Sequence, residues 1–293
     1  MSVGDPEAMA ASRQNERTPF DELYDQPDPR PFFQTFAPLE YQTPHHAQEV
    51  FRRLVAACAR TARVTPPVTV LDLCCSYGIT AALLNHDLTL EDLYAHYTSA
   101  QAAALSTAEL IERDRVFYAA RRRPDAARVI GLDVAPNAIT YARAVGLLDD
   151  GFAENLETTS PTAALLRAAH HTRLITITGG VSFLSPRTFH PLLASIHGPV
   201  WIAAFVLRTG SYQPIADGLA SHRLITEKAT TRTFPQRRFT SAAEQQYAIE
   251  AVTAAGEDPR EKETDGYFHT ALHLSRPLAD ITAFPLTSVV PDS

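Results

Sequence analysis

The sequence predicts an α/β protein organised around a doubly wound, mostly parallel sheet. Three observations carry that expectation. Short apolar, β-branched runs recur at 68–73, 128–133, 174–178 and 200–207, as strands covered on both faces require. Segments with apolar residues at three-to-four spacing lie between them, as helices packed on such a sheet would. Finally, residues 267–274 alternate, with Tyr267, His269, Ala271 and His273 on one side and Phe268, Thr270, Leu272 and Leu274 on the other. That is the pattern of a half-covered antiparallel strand.

Taken in order, residues 1–30 are polar and proline-spotted and are expected to be a disordered tail. Residues 31–65 are expected to form a helical lid. They open on Phe32, Phe33, Phe36 and Tyr41, and continue into a helix carrying Ala47, Val50, Phe51, Leu54, Val55 and Cys58 on one face. A helix docked on the sheet is the plainer reading of the same periodicity. The first strand, Val68–Leu73, ends in Cys74-Cys75-Ser76-Tyr77-Gly78 before a helix begins at Ile79. Residues 86–126 read as an inserted pair of helices, the second stopped by Pro124. Strands at 128–133, 152–156, 174–178 and 200–207 then alternate with helices starting near Pro136, Thr162 and Pro186. A short helix near 215–220, a strand near 224–233 and a helix over 242–255 precede the alternating strand. The sheet-forming unit thus spans 66–277, with an irregular tail over 278–293.

Composition narrows the function classes. The 293 residues carry a formal net charge of −7, and the 26 basic residues form no stripe suited to nucleic acid. Three cysteines, two of them adjacent, give neither a disulfide framework nor zinc-ligand spacing, and no metal site is expected. No apolar run approaches 18 residues and no signal segment is evident, so a cytoplasmic protein without membrane contact is expected. Glycine is scarce at 12 residues, below the average usage of roughly 7%.

In an open parallel sheet, ligands sit at the carboxyl ends of the strands. The first strand ends in Asp72 and a turn of small residues, the second in Asp133. A small-residue turn lets ligand and backbone approach. A carboxylate after the second strand offers two acceptors to the two donors of a ribose. A nicotinamide site would need GxGxxG with its acid about twenty residues on; no GxGxxG is present, and Asp133 lies 61 residues beyond Asp72.

At these residues the chain resembles the class I S-adenosylmethionine-dependent methyltransferases. Asp72 matches the acid of the first motif and Gly78 its last glycine, whereas Cys74 and Ser76 stand where glycines are usual. Asp133, followed by Val134, matches the ribose-binding acid. Glu154, Asn155 and Leu156 match the segment that frames the adenine, and Gly179 the loop after the fourth strand that faces the methyl group. The resemblance implies a Rossmann-like, seven-stranded sheet with an antiparallel last strand. It implies S-adenosylmethionine as cofactor, held by Asp72, Cys74, Ser76, Gly78, Asp133, Val134, Glu154, Asn155, Leu156 and Gly179, with S-adenosylhomocysteine as product.

Methyl transfer from a sulfonium is an in-line displacement that alignment and desolvation can drive, so the sequence need not advertise a base. Tyr41, His45 and Phe183 are the candidate catalytic residues: a hydroxyl or aromatic face, an imidazole with a pKa near neutrality, and a ring beside the fourth-strand loop. His46 shares the imidazole argument, while Arg208, Arg237 and Arg238 offer either a carboxylate clamp or salt-bridged faces. The charge balance favours a small-molecule acceptor, in specialised metabolism, over nucleic acid, and the inserted helices offer a surface for a homodimer. Two alternatives stay open. The protein could cyclise the cofactor's own aminobutyryl arm to azetidine-2-carboxylate and methylthioadenosine, or it could be a non-catalytic scaffold of the same fold.

Overall fold

A computed structural model of the chain describes residues 18, 20–61 and 67–290. The described chain runs α1 (Arg30–Phe36), α2 (Thr43–Thr61), β1 (Thr69–Leu73), α3 (Ile79–Asn85), α4 (Leu90–Thr98), α5 (Ala100–Ala103) and α6 (Thr107–Ala119). It continues β2 (Arg128–Asp133), α7 (Pro136–Ala144), β3 (Asp150–Ala153), α8 (Ala163–Ala169), β4 (Thr172–Ile177), α9 (Pro186–Ser195) and β5 (Trp201–Leu207). Then follow α10 (Gln213–Ala220), β6 (Ile225–Lys228), β7 (Phe234–Arg238), α11 (Ala242–Ala254), β8 (Tyr267–Arg276) and α12 (Leu278–Ala283).

The strands form one sheet in the order β3-β2-β1-β4-β5-β8-β6, with β7 also pairing β8. β1 to β5 are parallel, and β8 runs antiparallel to β5 and to both β6 and β7. The chain order therefore reverses at β1, which has β2 on one side and β4 on the other. The sheet has eight strands rather than the expected seven. The segment expected as one strand at 224–233 instead contributes β6, and a separate β7 follows, each pairing a different half of β8.

Alternate residues of the central strands feed two cores. Val70, Val129, Leu174, Ala203 and Phe205 face α2, α3 and α7. Leu71, Ile130, Ile175, Ile202 and Ala204 face α8, α9 and α10. Burial on both faces is why these strands read as unbroken apolar runs.

The N-terminal expectations divide. Residues 1–17 of the expected tail lie outside the described residues, but Phe20–Arg30 pack against the body. Asp25 accepts a hydrogen bond from the Asn137 amide at 2.8 Å, and Tyr77 Oη accepts one from the Gln26 amide at 2.8 Å. Aromatic burial outweighs the polar composition: Phe20 meets Phe36 at 4.8 Å between ring centroids. Of the segment expected as a lid, α1 packs on the insertion and Tyr41 reaches the loop after β4. α2 is the docked helix of the plainer reading, with Val50, Phe51 and Leu54 buried and Phe51 against Phe205 of β5. Residues 62–66 are outside the description. The tail is also less irregular than expected: α12 forms, Val289 and Val290 are buried, and Asp280 accepts from Trp201 Nε1 at 2.7 Å.

The insertion at 86–126 holds α4, α5 and α6 and is anchored by a carboxylate. Asp114, fully buried, accepts from His96 Nε2 at 2.6 Å, from Tyr97 Oη at 2.8 Å, and from Tyr141 Oη of α7. Residues 28–33 are tied to the same layer. Asp28 and Arg30 form a two-bond pair, and Arg30 donates onward to the carbonyls of Ala102 and Leu105 at 2.9 and 2.7 Å. Phe33 stacks on Tyr97 at 4.6 Å. Among the described residues no helix is long and apolar enough to cross a membrane.

Truncating Asp114 removes the acceptor of His96, Tyr97 and Tyr141, of which Tyr97 keeps Tyr118 Oη at 2.8 Å. Asp114→Ala is expected to lower unfolding free energy by about 3 kcal/mol, read from urea denaturation. A loss below about 1 kcal/mol would show that the tyrosines find other partners.

Candidate ligand crevice at the strand ends

The turn after β1 is built on an unusual backbone. Cys74, Ser76 and Gly78 have φ of 54°, 49° and 78°, so every second residue is left-handed. Only glycine adopts that region without steric cost; other residues lose about 1–2 kcal/mol each. Gly78 is required twice over, since a Cβ there would also meet Ala142 and Leu147 at 3.3 Å. The two replacements at 74 and 76 are small residues held in place by hydrogen bonds. Gly78 N donates to Cys75 O at 2.9 Å, and Ser76 N donates to Asp133 Oδ2 at 2.8 Å.

Asp133 therefore joins the first and second strand ends directly. Its other oxygen accepts from Ala135 N at 3.0 Å. It is half-buried, and burial raises its pKa although the backbone amides of Ser76 and Ala135 oppose the rise. Asp72, pairing Thr176 across the β1–β4 register, is fully buried. Its Oδ1 accepts from Thr176 Oγ1 at 2.7 Å. Burial, joined by the charge of Asp133, pushes its pKa up to about 7. Two polar atoms near this turn are buried without a protein partner: Asp72 Oδ2 and Ser76 Oγ.

Across the crevice, β4 is followed by Thr178 and Gly179-Gly180, and a tight turn follows at Val181–Phe183. A Cβ on Gly180 would collide with Cys74 Sγ at 2.7 Å, and one on Gly179 would meet Tyr41 Oη at 3.6 Å. Phe183 is 70% exposed and Val134 63% exposed. Asp72, Cys74, Ser76, Gly78, Asp133 and Gly179 thus gather at the ends of β1, β2 and β4, with Tyr41 above Gly179.

Other expected site residues are placed differently. Glu154 N donates to Asp133 O at 3.0 Å, so its segment does border the crevice. Its carboxylate, however, is engaged by Thr162 N and Oγ1 at 2.9 and 2.6 Å. Asn155 Oδ1 accepts from Glu157 N, and Leu156 is a core residue. His45 is exposed, and its described ring contact is with His46 at 5.1 Å; His46 bonds Gln42. Neither histidine contacts the crevice residues in any described interaction. The arginines form ion pairs: Arg208 with Glu257 and Glu263, Arg237 with Glu244, Arg238 with Glu40.

Two residues here were not singled out from sequence. The buried Tyr77 bonds through its Oη to the backbone of Leu23 and Gln26. Glu157 braces the far wall, accepting from Ser185 N, Ser185 Oγ and Thr188 Oγ1 at 2.8, 2.6 and 2.6 Å. The Ser185-Pro186 helix start was a visible signal for a nearby carboxylate, but its source 28 residues upstream was not. A separate cavity of about 520 Å³, bordered by His96, Arg113 and Phe117, lies within the insertion and not at the strand ends.

Ser76→Gly removes a left-handed serine and a buried unpaired hydroxyl together. It is expected to stabilise the ligand-free protein by about 1 kcal/mol, seen as a raised Tm. Destabilisation would mean that the hydroxyl has a partner in solution.

No family model matches the chain, and no curated protein matches it. Solved structures do. The plantazolicin methyltransferase BpumL in complex with SAH shares 12% identity over 92% of this chain and 98% of that one, with a TM-score of 0.43. The N-methyltransferase NodS from Bradyrhizobium japonicum, also with S-adenosyl-l-homocysteine, shares 13% over 92% and 97%, at 0.38. A functionally unknown protein from Deinococcus radiodurans shares 18% over 76% and 87%, at 0.38. The assignment of fold rests on the chain's own sheet: the order β3-β2-β1-β4-β5-β8-β6, with β8 antiparallel, makes it a Rossmann-like fold with a methyltransferase-type strand order.

Proposed function

We propose that the protein is an S-adenosylmethionine-dependent methyltransferase acting on a small molecule. The observation that carries this reading is the arrangement of two carboxylates and a left-handed turn at the switch in strand order. Asp133 is fixed by the Ser76 amide, while Asp72 Oδ2 and Ser76 Oγ lack protein partners. These groups suit the cofactor. Asp133 retains lone pairs for the two ribose hydroxyls, and the unsatisfied atoms match its ammonium and carboxylate ends. A carboxyl titrating near 7 is readily ionised by an adjacent ammonium.

The cofactor supplies an electrophilic methyl group on a sulfonium. The chain's own residues hold and enclose it. Gly179 and Gly180 bring bare backbone to the crevice, Tyr41 and the lid exclude water, and the exposed Phe183 and Val134 form a rim where an apolar acceptor would enter. Neither His45 nor His46 is placed to act as base, so an acceptor needing little proton removal fits this crevice best.

A second reading keeps the cofactor and drops the acceptor, giving azetidine-2-carboxylate and methylthioadenosine. The observation favouring it is the closed lid. Tyr41 lies against the β4 loop, and the strap that carries it is fastened where Asp25 accepts from Asn137, Arg30 donates to the Ala102 and Leu105 carbonyls, and Asp28 accepts from Thr107.

Two measurements test these readings. Asp133→Ala is expected to weaken S-adenosylmethionine binding at least tenfold, about 1.4 kcal/mol, by calorimetry; an unchanged affinity would remove the ribose assignment. Incubation with S-adenosylmethionine alone is expected to leave it intact, with S-adenosylhomocysteine forming once an acceptor is supplied. Methylthioadenosine appearing without acceptor would replace methyl transfer with cyclisation. Failure of both nucleosides to raise the Tm would leave a non-catalytic scaffold.

A further inference from the structure

We propose that the groove between α4 and α6 is a second ligand site, which binds the carboxylate or phosphate end of a small anionic molecule through Arg113. It lies in the insertion, apart from the strand ends, and does not depend on the cofactor reading.

The groove follows from how the two helices meet. They are joined through the short α5 and touch where His96 of α4 contacts Arg113, Asp114 and Phe117 of α6. Beside that contact, α4 presents the small Ala95 and Ser99, which leave the long side chains of the facing wall uncovered. The resulting cavity measures about 520 Å³, within the roughly 300–1,000 Å³ of small-molecule pockets. Ala95 and Gln101 on its border are exposed, so a ligand enters directly from solvent.

Arg113 is held in position at this groove. Its Nη2 donates to His96 Nδ1 at 3.0 Å. A guanidinium only donates, so Nδ1 is the acceptor, and Nε2 carries the hydrogen that goes to the buried Asp114 at 2.6 Å. The imidazole is therefore fixed from both sides, and Phe117 stacks on it at 4.0 Å between centroids. Arg113 Nη1, by contrast, is withdrawn from water and has no acceptor. A charged donor left in that state is costly. A ligand oxygen in the groove would satisfy it, and this needs only a pivot of the guanidinium about its bond to His96.

The charges around the groove set the sign of the ligand. Asp87 and Asp92 border it, and both are committed. Asp87 pairs with Arg123 at 3.1 Å. Asp92 accepts from Thr89 N and Oγ1 at 2.8 and 2.9 Å, with the charge of Arg121 acting on it. Arg121 in turn lies over the Phe117 ring at 4.0 Å. Arg113 bonds His96 alone, and among the described residues no carboxylate pairs with it. Its positive charge is the unanswered one, and its fork of donors matches the oxygens of a carboxylate or phosphate.

Inorganic phosphate and succinate, titrated separately into the full chain at an ionic strength held constant with sodium chloride, test the site by calorimetry and by the rise in Tm. Saturable binding of one equivalent of at least one anion is expected, and the tighter of the two identifies the phosphoryl or carboxylate end. Arg113→Gln removes the charge, whereas Ala95→Phe fills the groove from an exposed helix position and leaves every charge in place. Each is expected to weaken binding about tenfold while unfolding stays cooperative. Should Arg113→Gln fail to fold, Ala95→Phe alone decides. No saturable binding of either anion, or a loss of less than about threefold in a folded variant, would overturn the site.

Discussion

The hydrogen bond from the Ser76 amide to Asp133 is the contact on which the crevice depends. It holds together two features that are costly when separate. One is a turn with three left-handed residues, two of them not glycine. The other is a carboxylate drawn partly out of water. Each answers the other's need: the amide offsets the desolvation of the charge, and the charge fixes a backbone that would otherwise relax. Because Asp133 ends β2 and Ser76 follows β1, the bond also sets the crevice at the point where strand order reverses.

Residues 30–33 and the insertion pack as one layer. Arg30 reaches the carbonyls of Ala102 and Leu105, and Phe33 stacks on Tyr97, whose hydroxyl bonds Asp114. Asp114 in turn receives Tyr141 of α7, the helix that starts beside Asp133. Ring stacking and buried hydrogen bonds together therefore link residues 30–33 to the helix that follows Asp133. Such networks are rigid when every member is satisfied.

The sequence made the central strands and the docked helix legible because burial leaves a period in the residues: unbroken apolar runs for β1, β4 and β5, and a three-to-four spacing for α2. Asp72, Gly78 and Asp133 were legible for a different reason, since chain order alone places strand ends together. Residues 20–30 were misread because their composition is that of a loop, while their order comes from distant partners such as Tyr77, Asn137 and Phe36. For Glu154 and His45 the sequence marks the segment but not the direction of the side chain. Which way a side chain points depends on neighbours that are remote in sequence, here Thr162 and His46. The splitting of the outer strand into β6 and β7 left no local signature.

That split edge has a consequence for solubility. β8 is flanked by two short strands, and an open row of amides and carbonyls would invite another chain to add a strand. The backbone of residues 39–42 takes that position beside β7: Gln42 N donates to Gln236 O, and Arg238 N donates to Leu39 O, both at 2.7 Å. These four residues therefore guard the sheet against edge-to-edge aggregation, and any change that pulled them away would uncover a border ready to pair with another chain.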